Sequence, residues 1–217
     1  LGKTLWTERD GGDKVRIVGV WDGPEEARRV GDEIERLERE GCGLNQIAIL
    51  VRAQFQTREL EDRFIQIGLG YRIVGGFRFY ERAEIRDALA YLRLIASPSD
   101  DLAFERIYNT PKRGLGDKTL EKLHRHARAR GVPLSLAAVE ILDTDELPAR
   151  ARGTLTALMR DFARWRDASK TLVPAELART ILDESGYTAA LQAERSAEAN
   201  GRLENLSELA RAMEDYE

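Results

Sequence analysis

The period of the hydrophobic pattern changes once along this chain of 217 residues, and that change constrains the fold more than any other feature. As far as Gly76, short β-branched apolar runs alternate with helical patterns, whereas from Glu84 onward only helical patterns follow. The runs are Lys14–Trp21, Gln46–Arg52 and Tyr71–Gly76. Strands that alternate with helices indicate a parallel sheet. We therefore expect an α/β unit followed by an all-α unit.

Helix signals divide the chain further. One helix is predicted from Pro24 to Gly41, because a first-turn proline opens it and a glycine ends it. A second fits Thr57 to Ile67. The helices predicted after Gly76 are Ile85–Ala96, Asp101–Asn109, Asp117–Arg130, Leu134–Leu142, Ala149–Ser169, Pro174–Glu184 and a last one through Leu203, Leu206, Leu209 and Met213. The boundary between the units is expected near Tyr91, within or just after a helix.

Composition excludes several functional classes. Apolar residues make up 42% of the chain, enough for a sizeable core. The formal net charge of −4 argues against a polybasic coat, so that any anion site must be local. Cys42 is the single cysteine, which excludes an internal disulfide and fits a reducing compartment. No apolar run is long enough for a membrane span and no signal peptide is evident, so the sequence predicts a cytoplasmic protein.

Familiar catalytic motifs are not supported by their context. Gly2-Lys3-Thr4 matches the end of a P-loop, but no strand and GxxxxG precede it and no helical pattern follows. His124 and His126 would point about 200° apart on a helix, and therefore cannot grip one ion together. We expect no catalytic residue and no metal site in this chain.

The segment NTPKRGLGDKTLEKL, Asn109 to Leu123, is the strongest candidate site. From residue 112 to residue 130 seven Lys and Arg face two acids, a local balance of +5 in a chain of net charge −4. Local concentration of basic charge on a helix and the turn before it is typical of nucleic-acid binding. The interpretation remains open from charge alone, because a basic helix can also simply face water.

The turn within this segment adds geometry. Gly114 and Gly116 are expected to adopt positive φ, and Leu115 to insert between the flanking helices. The first N–H groups of a helix that begins at Asp117 suit a phosphate, although the Asp117 side chain would compete for them. Two helices joined by a glycine–apolar–glycine turn resemble a helix-hairpin-helix element, which grips the DNA backbone without reading bases. A plain interhelical turn remains the alternative.

The motifs together resemble one family. IAILVRAQFQTRELEDRF, then YRIVGGFRFYERAEIRDALAYLRLIASPSDDLAFERIYNTPKRGLGDKTLEKL, then GRLENLSELARAMEDYE look like the middle of the UvrD/PcrA/Rep group of superfamily 1 DNA helicases. The resemblance implies a partial RecA-like parallel sheet with flanking helices in residues 1–90, the N-terminal half of motor domain 2A. It implies a mostly helical accessory domain, 2B, in residues 91–217.

The resemblance also implies three groups of site residues. The group that would touch the duplex backbone is Lys112, Arg113, Gly114, Leu115, Gly116, Asp117, Lys118 and Thr119. The group near a single strand would be Gly75, Gly76, Phe77, Arg78, Phe79 and Arg82, although the aromatic residues there are more often core. Gln56 and Arg58 match a polar pair of the motor fold, for which we favour a structural role.

The implied function is that of a fragment of an ATP-dependent 3′→5′ DNA helicase of repair, including nucleotide excision repair, and of replication. No P-loop, Walker B or arginine-finger motif is recognisable, so ATP and Mg²⁺ would be cofactors of the parent protein and the fragment alone is expected to be inactive. The expected partners are duplex–single-strand DNA junctions, the rest of the helicase chain and repair proteins, with no membrane. Two alternatives remain: a protein-interaction and autoinhibitory module with little DNA contact, and part of a helicase–nuclease.

Overall fold

The computed structural model describes residues 11–12, 14–74, 76 and 78–214. Within these ranges the chain is mainly helical, with three-residue 3₁₀ turns at Leu44–Gln46, Gln54–Gln56, Phe79–Glu81 and Ile141–Asp143. The α-helices in the described ranges are α1 Gly23–Arg39, α2 Thr57–Gln66, α3 Ala83–Ala96, α4 Asp101–Ile107, α5 Asp117–Arg130, α6 Leu134–Glu140, α7 Ala149–Ala168, α8 Pro174–Glu184, α9 Tyr187–Glu194 and α10 Ala197–Glu214.

The predicted helices are confirmed to within a few residues at their ends. The side chain of Asp22 caps α1 by accepting a hydrogen bond from the N–H of Glu25 at 2.8 Å, with Pro24 in the first turn. Helix ends were also predicted: α5 ends before Gly131, whose φ of +65° suits a glycine. Local signals of this kind act within one turn, which explains why they could be read from the sequence.

The prediction of a parallel sheet, RecA-like or otherwise, is wrong for the described residues. None of the three β-branched runs forms a strand, and no backbone hydrogen bond joins one run to another within the described ranges. Their side chains face solvent, with Ile17 96% exposed and Leu50 94% exposed. The physical reason is that β-branched composition expresses a local preference, whereas a strand also needs a neighbour to complete its ladder and cover its side chains.

One large hydrophobic core holds the helical part together. It extends from Phe79 to Leu209 and includes side chains of α3 to α10, with Tyr91, Phe162 and Trp165 in mutual aromatic contact at its centre. Helices α1 and α2 pack on each other separately through Ala27, Ile34 and Phe64. The domain boundary predicted near residue 91 lies inside α3, and it stays a prediction.

Helix α10 returns to the beginning of the helical part. It packs against α3 and against the Gln54–Gln56 turn, where buried polar groups join the two regions. Arg58 donates to Glu208 at 2.6 Å, and Arg82 donates to the side-chain oxygen of Asn205 at 2.8 Å. None of the helices in the described ranges combines the length and apolar content needed to cross a membrane.

Candidate nucleic-acid interface

The connection between α4 and α5, residues 108–116, is folded around one asparagine. Asn109 Oδ1 accepts hydrogen bonds from the N–H of Arg113 at 2.8 Å and from the N–H of Leu115 at 3.3 Å. Leu115 is completely buried in the core, as the sequence predicted for an apolar residue between two glycines. The connection is therefore anchored at its centre, while Gly114 and Gly116 on either side are exposed.

The two glycines differ in conformation. Gly114 has a φ of +79°, a region that side chains other than glycine rarely adopt. Gly116 has φ −88° and ψ 178°, which any residue can adopt, so the prediction of positive φ is correct for Gly114 only. The reason is position: Gly116 occupies the N-cap of α5, where an extended backbone is the rule.

The N-terminus of α5 has no side-chain cap. Gly116 cannot supply one, and Asp117 is exposed without a hydrogen bond to a described residue. The N–H of Thr119 is bound to the Gly116 carbonyl at 2.9 Å, whereas the N–H groups of Asp117 and Lys118 find no acceptor within the described ranges. Two exposed donors at a positive helix end form a local electrostatic attraction for an anion.

Tyr108 holds the Gly116 carbonyl in place. Its hydroxyl donates to that oxygen at 2.8 Å, and burial raises the pKa of Tyr108 to about 12. The phenol therefore stays neutral and remains a donor at neutral pH. Thr119 is also buried, so its side chain faces inward beneath the turn.

Arg113 is turned into the protein. Its guanidinium donates to the carbonyls of Ile107 at 3.0 Å and Thr110 at 2.8 Å, and also to the hydroxyl of Tyr91 and the carbonyl of Ser185. Burial raises the pKa of Tyr91, and the charge of Arg113 offsets part of that rise. With both terminal nitrogens engaged, Arg113 organises the connection, and its sequence neighbour Lys112 is the side chain that projects into solvent.

Much of the basic charge along α5 is already compensated by neighbouring elements. Lys122 donates to the backbone carbonyl of Glu146, while Arg125 lies 3.5 Å from the carboxylate of the same residue. Arg130 is paired with Glu140 at 3.2 Å, and this hydrogen bond, together with one from His126, lowers the pKa of Glu140. Three exposed cations of this segment have no ion pair with a described residue: Lys112 before α5, Lys118 in its first turn and Arg128 near its end.

Lys112 and Lys118 are exposed and form no ion pair with a described residue. A third exposed cation lies beside Gly114. A Cβ atom added to Gly114 would lie 4.0 Å from Nη2 of Arg150, a residue of the first turn of α7. Sequence reasoning missed Arg150, because its position next to the turn depends on how α7 packs and no local pattern encodes it.

The predicted single-strand group divides into buried and exposed members. Gly75 and Phe77 lie outside the described residues. Phe79 is completely buried and its N–H binds the carboxylate of Glu61, so its ring is a core element and unavailable for stacking on a base. Arg82 is 5% exposed, and burial lowers its pKa.

The remaining members of that group reach the surface. Arg78 is exposed, with its guanidinium 5.3 Å from the centre of the Tyr71 ring. Gly76 is exposed as well, and a Cβ added there would approach the side chain of Gln54 to 3.0 Å. The structure does not bring either residue to the Gly114 turn by any described contact.

Gln56 and Arg58 both bind groups within the protein, and the structural role favoured from the sequence stays a prediction. Gln56 Oε1 accepts hydrogen bonds from the N–H groups of Arg52 at 3.0 Å and Ala53 at 2.9 Å. Arg58 is 5% exposed and bonded to Glu208, with further ion pairs to Asp62 and Glu59. Among the described residues, no group of three or more His, Cys, Asp or Glu side chains is arranged to hold a metal ion.

Comparison with known proteins gives a consistent result. The family model described as "UvrD-like helicase C-terminal domain" matches residues 1–217. The chain is 44% identical over 216 residues to the "Probable DNA helicase II homolog" of Rickettsia conorii, covering 99% of this chain and 33% of that protein. It is 37% identical over 216 residues to "DNA helicase II" of Escherichia coli, covering 100% of this chain and 30% of that protein. It is 38% identical over 216 residues to "ATP-dependent DNA helicase PcrA" of Bacillus subtilis, covering 99% and 29% respectively. The chain thus spans about a third of the length of these relatives.

Proposed function

The chain belongs to the family of UvrD-like helicase C-terminal domains, and on that basis we propose that it is part of an ATP-dependent DNA helicase. The observation that supports this proposal is the match of the family model to residues 1–217. Similar proteins over the same residues are named as DNA helicases. We also propose 3′→5′ movement along DNA, a role in DNA repair, and the cytoplasm as the location; the relatives named as DNA helicases support DNA as the substrate.

Within this helicase, the turn between α4 and α5 binds the backbone of duplex DNA next to a single-strand junction. Support comes from the exposed lysines Lys112 and Lys118 and from the two free N–H groups at the start of α5. Backbone contacts of this kind position a protein on DNA and read no sequence. Leu115, Thr119 and Arg113 serve this site from below by fixing the shape of the turn.

ATP and Mg²⁺ are bound, in this proposal, by residues outside the described part of the chain. Phosphoryl transfer requires a phosphate-binding loop, carboxylate-held Mg²⁺ and arginines around the γ-phosphate. Among the described residues, no group of three or more His, Cys, Asp or Glu side chains could hold a metal ion. We therefore derive no catalytic step from these residues, and their contribution is to hold and orient DNA.

The decisive experiment reverses charge at the turn. We expect the double variant Lys112→Glu with Lys118→Glu to weaken binding of the 217-residue chain to a 3′-tailed duplex at low salt, measured by fluorescence anisotropy. Losing two phosphate contacts should lower the affinity at least about tenfold at low salt, where such contacts contribute most. It should also make the negative slope of log K against log salt shallower, by about 0.9 for each contact. The matched control is Arg160→Glu with Lys170→Glu, which reverses two exposed charges, one within α7 and one just after it.

Unchanged affinity in the Lys112 and Lys118 variant, or no binding by the wild type at low salt, would show that the turn does not hold DNA. The helical part would then be better described as a protein-interaction module. Equal losses in the variant and the control would show a diffuse charge effect and would contradict a site at the turn.

A further inference from the structure

We infer that Arg150 of α7 is a third cation of the same duplex-binding surface, acting beside Lys112 and Lys118. This inference rests on the proposed function and deepens it, because it adds a residue from a different helix. It also assigns the arginine contact to Arg150 and not to Arg113, the residue that the sequence favours.

The guanidinium of Arg150 lies next to the turn between α4 and α5. Its Nη2 atom is 4.0 Å from the point where a Cβ of Gly114 would lie, so the guanidinium is directly over the exposed glycine of the turn. A glycine there leaves both the backbone and this guanidinium open to a ligand. The side chain of Arg150 is exposed, so it can meet a phosphate without a rearrangement of the core.

Arg150 differs from the neighbouring arginines in its hydrogen bonds and ion pairs. Arg152, two residues further on, is bound to the carbonyl of Thr144 and paired with Asp145 at 3.2 Å. Arg125 faces Glu146 at 3.5 Å. By contrast, no ion pair or hydrogen bond joins the guanidinium of Arg150 to any residue in the described ranges. Arg150 is thus an exposed arginine that keeps its full hydrogen-bonding capacity.

The exposed charge around the turn is mainly positive. Both terminal nitrogens of Arg113 donate hydrogen bonds within the protein. The guanidinium of Arg113 therefore cannot also donate two parallel hydrogen bonds to a ligand. The exposed cations Lys112, Lys118 and Arg150 then outnumber the two exposed carboxylates of the first turns of α5, Asp117 and Glu121. Arginine binds phosphate through two parallel hydrogen bonds, whereas lysine acts as a point charge. Arg150 is therefore the group at this surface with the geometry for a bidentate phosphate contact.

The partner that fits this surface is a nucleic-acid backbone. The three cations come from the connection before α5, from the first turn of α5 and from the first turn of α7, and none of them lines the cavity beside α10 or the one beside Gly131. Contacts of this kind carry no sequence information, so binding should be equally strong for duplexes of different sequence.

The test compares Arg150→Gln with Arg160→Gln in the 217-residue chain. Arg160 is an exposed arginine of the same helix, about 15 Å further along its axis at 1.5 Å per residue. We expect Arg150→Gln to weaken binding of a 3′-tailed duplex about three- to tenfold at about 50 mM salt and to lower the salt slope by about 0.9. Arg160→Gln should leave both unchanged, and neither variant should shift the urea unfolding midpoint. Arg150→Lys, which keeps the charge and loses the fork, should fall between the wild type and Arg150→Gln.

The outcomes separate the two proposals. If the Lys112 and Lys118 reversal weakens binding while Arg150→Gln behaves like Arg160→Gln, the assignment of Arg150 is wrong and the proposed function stands. If the lysine reversal has no effect, the proposed site at the turn fails and the role of Arg150 in it fails as well. A loss that differs strongly between two duplex sequences would contradict a backbone contact by Arg150.

Discussion

Lys112 and Arg113 are adjacent and carry the same charge, yet their side chains have opposite surroundings. Lys112 projects into solvent, and Arg113 binds the carbonyls of its own connection together with Tyr91. A sequence pattern counts both as basic residues of one cluster. Which of the two faces outward is decided by where α3 and α8 lie, and because this information is non-local the sequence pattern could not show that Arg113 faces inward.

We predict that Arg113→Gln destabilises the protein by about 2 kcal/mol, because several carbonyls would lose a charged donor and remain partly buried. The free energy of unfolding, measured by urea denaturation, checks this. Lys112→Gln is the matched control and should stay within about 0.5 kcal/mol of the wild type. Equal stability of the two variants would mean that the inward hydrogen bonds of Arg113 contribute nothing.

Glu184 provides a prediction about pH. Its carboxylate accepts a hydrogen bond from the indole N–H of Trp165 at 2.6 Å and pairs with Arg164; the hydrogen bond from Trp165 and then the one from Arg164 lower its pKa below 4.5. A lowered folded-state pKa means that the stabilisation is fully present above the unfolded-state pKa and is lost as the pH falls through the folded-state value.

The wild type should therefore be more stable than Glu184→Gln at pH 7, and this difference should disappear as the pH is lowered through the folded-state pKa of Glu184. Urea midpoints at several pH values measure it. Glu176→Gln, on the same helix at an exposed position without an ion pair among the described residues, should show no such convergence. A difference between wild type and Glu184→Gln that stays constant with pH would show that the carboxylate charge is unimportant.

At the scale of elements, the uncapped start of α5 allows stability and binding to be separated. Gly116→Ser places a good N-cap residue in a backbone conformation that already suits it, with φ −88° and ψ 178°. We predict a gain of a few tenths of a kcal/mol in stability, together with weaker DNA binding, because the serine oxygen would occupy an N–H group proposed for phosphate. Thermal unfolding and anisotropy on the same samples check both. Stronger binding in this more stable variant would contradict a role for those N–H groups.

Elements were predictable where their signals are local. The caps, glycines and apolar spacing of the predicted helices act within one or two turns, and the structure contains those helices. Helix α9 was not predicted from the sequence; its N-cap is Gly186, which follows α8 after a single residue. The prediction of strands was wrong for the opposite reason. Ile17 and Leu50 belong to runs with the composition of a strand, but a strand forms only beside a neighbouring strand, which the local pattern does not specify.

For the molecule as a whole, the return of α10 to the region before α3 is the organising feature. It relies on buried polar pairs that no sequence period revealed, since Arg58 and Glu208 are 150 residues apart. Hydrophobic spacing predicted the helix itself, but its packing partner follows only from the complete fold. The sequence pattern therefore predicted most helices and left their arrangement open.

We predict that Glu208→Gln lowers the free energy of unfolding by about 3 kcal/mol, because it leaves the charge of Arg58 poorly compensated in a buried position. Asp62 and Glu59 remain as partners of Arg58 and keep the loss at the lower end of the range for broken buried pairs. Glu204→Gln, exposed on the same helix, is the control for urea denaturation and should be nearly neutral. Equal effects of the two changes would show that the buried pair does not stabilise the return of α10.

The same closure determines how the protein would carry a mechanical load. Helix α10 lies beside α3 and the Gln54–Gln56 turn, so tension applied between the polypeptide near Arg58 and the polypeptide near Glu208 is borne first by the Arg58–Glu208 and Arg82–Asn205 bonds. Helices α8 and α9 also pack on α10, so the helical core shares this load with the polar junction. A pull between these two points would thus be transmitted through α10 and the helices around it.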